Sequence, residues 1–153
     1  MRIKVGYPGF EGTLVLRESA IEAPPPPVQD GSQPSLIHAT IEALPWDRDK
    51  EQVWAVLLSQ RSKIKAIVQV SVGCMTSSVI HPREVFRPAI MHGASAVILV
   101  HNHPSGDPTP SMEDHQVTKR LEEAGVVVGI RLLDHIVLGY QQYRSFKDEG
   151  WMR

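Results

Sequence analysis

The chain has 153 residues, enough for one domain with a buried core and too few for two. Its 42% hydrophobic and 22% charged residues are an ordinary globular balance. The formal net charge of -1 argues against a broad polyphosphate footprint, and no uninterrupted apolar run approaches the roughly 20 residues that span a bilayer. The N-terminus lacks a basic-then-apolar signal pattern, and a single cysteine, Cys74, cannot form an internal disulfide. Together these features point to a reducing cytoplasm. Cys74 reads as a small packing residue rather than a nucleophile.

Ile3-Lys4-Val5 and Thr13 to Leu16 alternate and are separated by Pro8-Gly9, which suggests a small hairpin. Pro24 to Pro27 cannot enter a helix or a central strand, and with Gln29 to Ser32 they read as a linker in polyproline II conformation. Residues 1–34 are therefore expected to be an N-terminal extension, and 35–153 the domain proper. Ser35 to Leu44 has helical spacing, with Ser35 as a candidate N-cap and Pro45 as the stop. Val53 to Leu58 is strongly β-prone; after a turn at Gln60 to Lys63, Ile64 to Val72 pairs back as a hairpin partner that Gly73 ends. Pro82 suits a first helical residue. Pro88 is expected to kink or restart that helix, and Gly93 to close it. Ala94 to Val100 is a continuous apolar run and reads as a buried strand. A helix beginning near Ser111 is expected to end at Gly125, followed by strands over Val126 to Leu133 and His135 to Tyr140. Tyr143, Phe146 and Trp151 should cover the edge of the core. A mixed sheet with helices on its faces follows.

The chemistry is concentrated at His101 to Asp114. His101 and His103 lie two residues apart where the apolar strand ends, so they share a face and can reach one point. Asp114 opens a helical pattern with Val117 and Leu121 on its own face, which turns its carboxylate toward the strand end. Two neutral imidazoles and a carboxylate make a three-ligand set for zinc, leaving the fourth position to water, as in catalytic sites. Bound zinc lowers the pKa of that water from 15.7 to roughly 7. A bare H-x-H is more often a polar loop that caps a strand; Ser111 and Asp114 at fixed offsets reverse that weighting. Ser111 could begin a capping-box-like S-x-x-D with Asp114, or Thr109 could be the cap with Pro110 in the first turn.

H-x-H, seven residues, S, two residues, D resembles the pattern of the JAMM (MPN-plus) metalloproteases. With Ser78 to Glu84 before it and Leu132-Leu133-Asp134-His135 after it, the string is similar to the RadC family. The likeness runs from about Glu51 to the C-terminus. It implies an α/β fold of the three-layer JAB/MPN (cytidine-deaminase-like) type, a mixed β-sheet flanked by helices. It also implies a zinc-dependent peptidase or isopeptidase in which His101, His103 and Asp114 bind the metal and Ser111 helps stabilise the oxyanion.

A glutamate ahead of the metal strand serves as the base in JAMM enzymes. Glu51 sits at the entry of the first hairpin strand, as that glutamate does; Glu84 lies in His81-Pro82-Arg83-Glu84, whose letters resemble the segment before it in some members. The topological match favours Glu51, since geometry decides a base first. Asp134 or a backbone carbonyl could orient a metal imidazole. His81 and His135 read as structural histidines, His38 and His92 as helix surface or edge residues, and His115 as a weak candidate near the site. Two other readings compete. RadC proteins have been associated with DNA repair, which suggests a nucleic-acid-binding module, although the charge balance is unhelpful. A non-catalytic MPN scaffold is the other, weighed against by the occupied ligand positions. The expected partner is a peptide or isopeptide-linked protein, with no membrane.

Overall fold

The structure is a computed structural model that describes residues 31–44, 46–73 and 80–152, with the backbone of 2–7 and 10–15. Two strands lie at its centre. β3 (Gln52–Leu58) and β5 (Ala96–Asn102) are buried at all seven positions each and pair antiparallel. Strands that are continuously apolar are covered on both faces, and alternation then sends odd and even residues to opposite layers. Val53, Ala55, Leu57, Val97 and Leu99 enter one core cluster. Trp54, Val56, Leu58, Ala96, Ile98 and Val100 enter the other.

The rest of the sheet grows outward from this pair. β4 (Ile64–Val72) returns antiparallel to β3, as the turn at Gln60 to Lys63 predicts. β1 (Arg2–Tyr7) and β2 (Phe10–Val15) form the expected hairpin, and β2 runs parallel to β4. On the other side β6 (Arg131–Leu138) lies parallel to β5, and β7 (Tyr143–Ser145) pairs antiparallel with β6. Among the described residues seven strands follow the order β1-β2-β4-β3-β5-β6-β7. α1 (Pro34–Glu42) covers the even face through Ile37 and Ile41. α2 (Pro82–Met91) and α3 (Met112–Val128) cover the odd face through Val85, Phe86, Ala89, Val117 and Leu121. This is the three-layer α/β arrangement expected from the sequence.

Four local expectations are corrected. Ser35 is not the cap of α1: Gln33 holds that position without a side-chain bond, and Pro34 supplies the pre-set φ of the first helical residue. Pro88 does not restart α2, which runs through it from Pro82 to Met91, with Val85 and Ala89 on either side both buried. Gly125 does not end α3, which runs on to Val128 and is capped by left-handed Gly129 with φ 80°. Val126 to Val128 are accordingly exposed helix residues, and a single strand, β6, replaces the two expected between 126 and 140. Pro8-Gly9, Leu16, the polyproline tract, Pro45, Cys74 and Ser78-Val79 lie outside the described residues.

Gly125 has a different purpose. A Cβ built there would stand 2.6 Å from the Ile130 carbonyl oxygen and 3.3 Å from the Phe86 ring. The glycine lets α3 touch the start of β6. Gly→Ala inside a helix ordinarily stabilises by about 1 kcal/mol. Here Gly125→Ala is expected to destabilise by about 1–3 kcal/mol, since backbone must move. Thermal or urea unfolding checks the sign.

Candidate metal centre

The parity of β5 decides where the histidines point. His101 follows Val97 and Leu99 onto the odd face, beneath α3, and is fully buried. His103 stands just past the strand end, with its N–H donated to the Leu138 carbonyl at 2.8 Å. Their Nε2 atoms lie 2.9 Å apart. The loop that follows rests on the turn after β6: Tyr140 N–H donates to Gly106 O at 2.8 Å, and a Cβ on Gly139 would lie 2.4 Å from that same oxygen. Side-chain-free backbone is required at Gly139 for the two loops to meet this closely.

α3 begins with the capping box that the sequence suggested, and Ser111 rather than Thr109 is the cap. Asp114 N–H donates to Ser111 Oγ at 3.1 Å, and Ser111 N–H donates to Asp114 Oδ2 at 2.7 Å. This reciprocal pair satisfies two donors at the helix start. It also aims the buried carboxylate at both imidazoles. Asp114 Oδ1 lies 3.3 Å from His101 Nε2, and Oδ2 lies 3.3 Å from His103 Nε2. Burial opposes ionisation of Asp114, but contacts with the two histidines and the Ser111 N–H outweigh it and hold the carboxyl well below the usual carboxylate range.

Glu51 enters from the strand next door. One of its carboxylate oxygens and a ring nitrogen from each of His101 and His103 all lie within 4.8 Å of one another, a set that could hold a metal ion. Glu84, the other candidate acid, stands in the first turn of α2 and pairs with Arg83 Nε at 3.1 Å. Asn102 holds the backbone on both sides of Glu51: its Oδ1 accepts from Gln52 N–H at 2.7 Å, and its Nδ2 donates to the Lys50 carbonyl at 3.0 Å. Sequence reasoning missed this residue. Its place between two histidines hides that alternation sends its side chain to the other face.

The donors suit a small divalent cation. Imidazole nitrogen and carboxylate oxygen form the mixed set that zinc accepts. His103 Nδ1 lies 2.8 Å from the Asp107 carbonyl, which can only accept, so the ring hydrogen sits on Nδ1 and Nε2 is open in the neutral form. A backbone carbonyl therefore orients this imidazole. Asp134 does not; it accepts from Ser145 Oγ, His135 N–H and Lys147 N–H, and ties β7 to β6. His135, read from the sequence as structural, is fully buried directly behind His101, with its Nε2 2.7 Å from His101 Nδ1. Burial pushes the His135 pKa well below the ordinary histidine value. The others stand elsewhere: His115 packs on Phe146 and Trp151, His81 caps α2, His92 Nδ1 lies 2.9 Å from the Pro88 carbonyl, and His38 packs on Tyr143.

The RadC-like JAB domain family model matches residues 32–151. The chain belongs to this family. It is 53% identical over 104 residues to the UPF0758 protein GSU0386 of Geobacter sulfurreducens, covering 68% of this chain and 45% of that protein. It is 53% identical over 102 residues to the UPF0758 protein TTE0897 of Caldanaerobacter subterraneus subsp. tengcongensis, covering 67% and 44%. A UPF0758 protein of Desulforudis audaxviator is 52% identical over 102 residues, with the same coverage. The chain thus spans less than half the length of the curated relatives it matches. Among the described residues no helix is long and apolar enough to cross a membrane.

Asp114 first, then the Asp107 carbonyl, holds the His103 pKa above the ordinary histidine value against the opposing effect of burial. A proton therefore competes for Nε2 at higher pH than on a free histidine. Zinc affinity of the RadC-like chain is expected to fall about tenfold per pH unit below that raised pKa, with one proton released per ion bound. Calorimetric titration in buffers of different ionisation heat checks this; an affinity that is flat from about pH 6 to 8 contradicts it.

Proposed function

We propose that this chain is a zinc-dependent metallohydrolase of the JAMM type that cleaves peptide or isopeptide bonds. The observation that supports it is the convergence of Glu51, His101, His103 and Asp114 at the end of one buried strand. In this reading His101, His103 and Asp114 hold the ion, and Glu51 acts on solvent beside it. Bound zinc supplies a Lewis acid and lowers the pKa of a coordinated water toward roughly 7.

The remaining chemistry belongs to the side chains. Glu51 takes a proton from the attacking water and hands it to the leaving amine, the work of a general base and then a general acid. Its half-buried position at the entry of β3, with Asn102 gripping both flanking peptide units, keeps that carboxylate facing the histidines. Ser111 Oγ accepts from Asp114 N–H, which leaves its hydroxyl hydrogen to donate to the carbonyl oxygen as negative charge develops. The substrate is a peptide or an isopeptide-linked protein, on the strength of the family resemblance.

Glu51→Gln and Glu84→Gln distinguish the two acids. With zinc content measured on each purified protein, Glu51→Gln is expected to keep the ion and lose roughly 10²–10⁴ in turnover of peptide and isopeptide substrates. Glu84→Gln should keep both. Loss of zinc from Glu51→Gln would instead make Glu51 a ligand, and full activity would remove it from the chemistry. A wild-type chain that folds but takes up no zinc would overturn the proposal.

Ser111→Ala separates a cap from a catalytic donor. Loss of the cap is worth about 1 kcal/mol of stability. Loss of an oxyanion donor lowers turnover by roughly 10²–10³. The expected outcome is a modest fall in Tm with a large fall in rate; an unchanged rate would leave Ser111 as a cap alone.

A further inference from the structure

Behind the metal-facing atoms runs a chain of buried polar groups. Thr118, one turn after Asp114 on α3, donates from Oγ1 to the Asp114 carbonyl at 2.8 Å. The same Oγ1 lies 2.6 Å from His135 Nδ1. His135 Nε2 lies 2.7 Å from His101 Nδ1, and His101 Nε2 stands 2.9 Å from His103 Nε2 and 3.3 Å from the Asp114 carboxylate. Thr118, His135, His101 and Asp114 are at most 2% exposed. The Phe146 ring, stacked on His135 at 4.6 Å between centroids, holds the imidazole in its plane.

Hydrogen counting gives these contacts a direction. A hydroxyl has one hydrogen, and a carbonyl can only accept. With the Thr118 hydrogen on Asp114 O, the hydroxyl accepts toward His135. His135 must then carry its hydrogen on Nδ1. As a neutral ring its Nε2 is bare and accepts from His101, which places the His101 hydrogen on Nδ1. His101 Nε2 is then left with an open lone pair, the form that an ion between it, His103 and Asp114 would require. We propose that Thr118 and His135 are positioning residues that lock His101 in the tautomer able to bind a metal ion. Neither touches the ion or the substrate.

Without the hydroxyl the direction is lost. His135 can then hold its hydrogen on Nε2 and donate it to His101 Nδ1, which moves the His101 hydrogen to Nε2 and closes the ligand position. β6 makes these contacts possible: its register shift opposite Val97/Ile98 brings His135 level with Leu99, on the same face as His101.

This inference rests on the metal-site reading above, and its test separates the two. In metal-free wild type, long-range ¹H–¹⁵N correlation spectra should place the hydrogens of His101 and His135 on Nδ1. In Thr118→Val, which replaces the hydroxyl by a methyl group of similar size, His101 should populate the Nε2–H form. Zinc alone, titrated into each protein, should bind about 10–100-fold more weakly to Thr118→Val. Thr118→Ser should restore both the spectrum and the affinity. Wild-type His101 bearing its hydrogen on Nε2 overturns the proposal, as does a folded Thr118→Val that binds zinc like wild type. If Thr118→Val does not fold, the wild-type spectrum and Thr118→Ser decide. Wild type that binds no zinc but shows Nδ1–H on both rings refutes the metal reading and leaves the tautomer lock standing.

Discussion

The carboxylate of Asp114 is the point at which helix and sheet are tied together. A buried anion costs several kcal/mol in lost hydration unless partners replace the water. Here one oxygen takes the Ser111 N–H and faces His103, while the other faces His101. The same contacts start α3, fix its first turn over the end of β5, and collect two imidazoles. Removing the carboxylate would take away a helix cap and a candidate ligand at once.

Around that tie the donors come from separate parts of the chain. Glu51 opens β3, His101 ends β5, His103 stands on the loop beyond it, and Asp114 lies in the first turn of α3. His135 on β6 and Thr118 on α3 stand behind them. Antiparallel pairing of β3 with β5 sets Val53 opposite His101, which carries Glu51 to the mouth of the site. The sheet must be assembled before the cluster exists. Metal uptake would therefore favour the folded chain by mass action, since the unfolded chain does not hold these donors together.

Much of this was legible from residues alone. The i, i+2 spacing of His101 and His103, the S-x-x-D of the capping box and the apolar run ahead of them are local patterns, and local patterns survive folding. The resemblance favours Glu51 over Glu84 through its place at the entry of the first hairpin strand; of the two acids, Glu51 lies within reach of the histidines and Glu84 pairs with Arg83. The misses share a cause. His135 meets His101 across 34 positions, and Asn102 meets Lys50 and Gln52 across about 50, so nothing nearby in sequence marks either contact. Gly125 misled for a related reason. Glycine marks both helix ends and close approaches, and only the position of Ile130 distinguishes them.

The loop after β5 has one more consequence. It is held at its base by main-chain bonds from His103 to Leu138 and from Tyr140 to Gly106, with Gly139 flush against it. Its base is thus set by peptide groups, while its exposed tip is braced by side chains: Ser105 Oγ accepts from Asp107 N–H at 3.3 Å, and Thr109 Oγ1 donates to Asp107 Oδ1 at 2.7 Å. Changes at Ser105 or Thr109 would loosen that tip while the main-chain hinge beneath it stays put. Selection, natural or in the laboratory, can thus retune what docks at the mouth without touching the grip below.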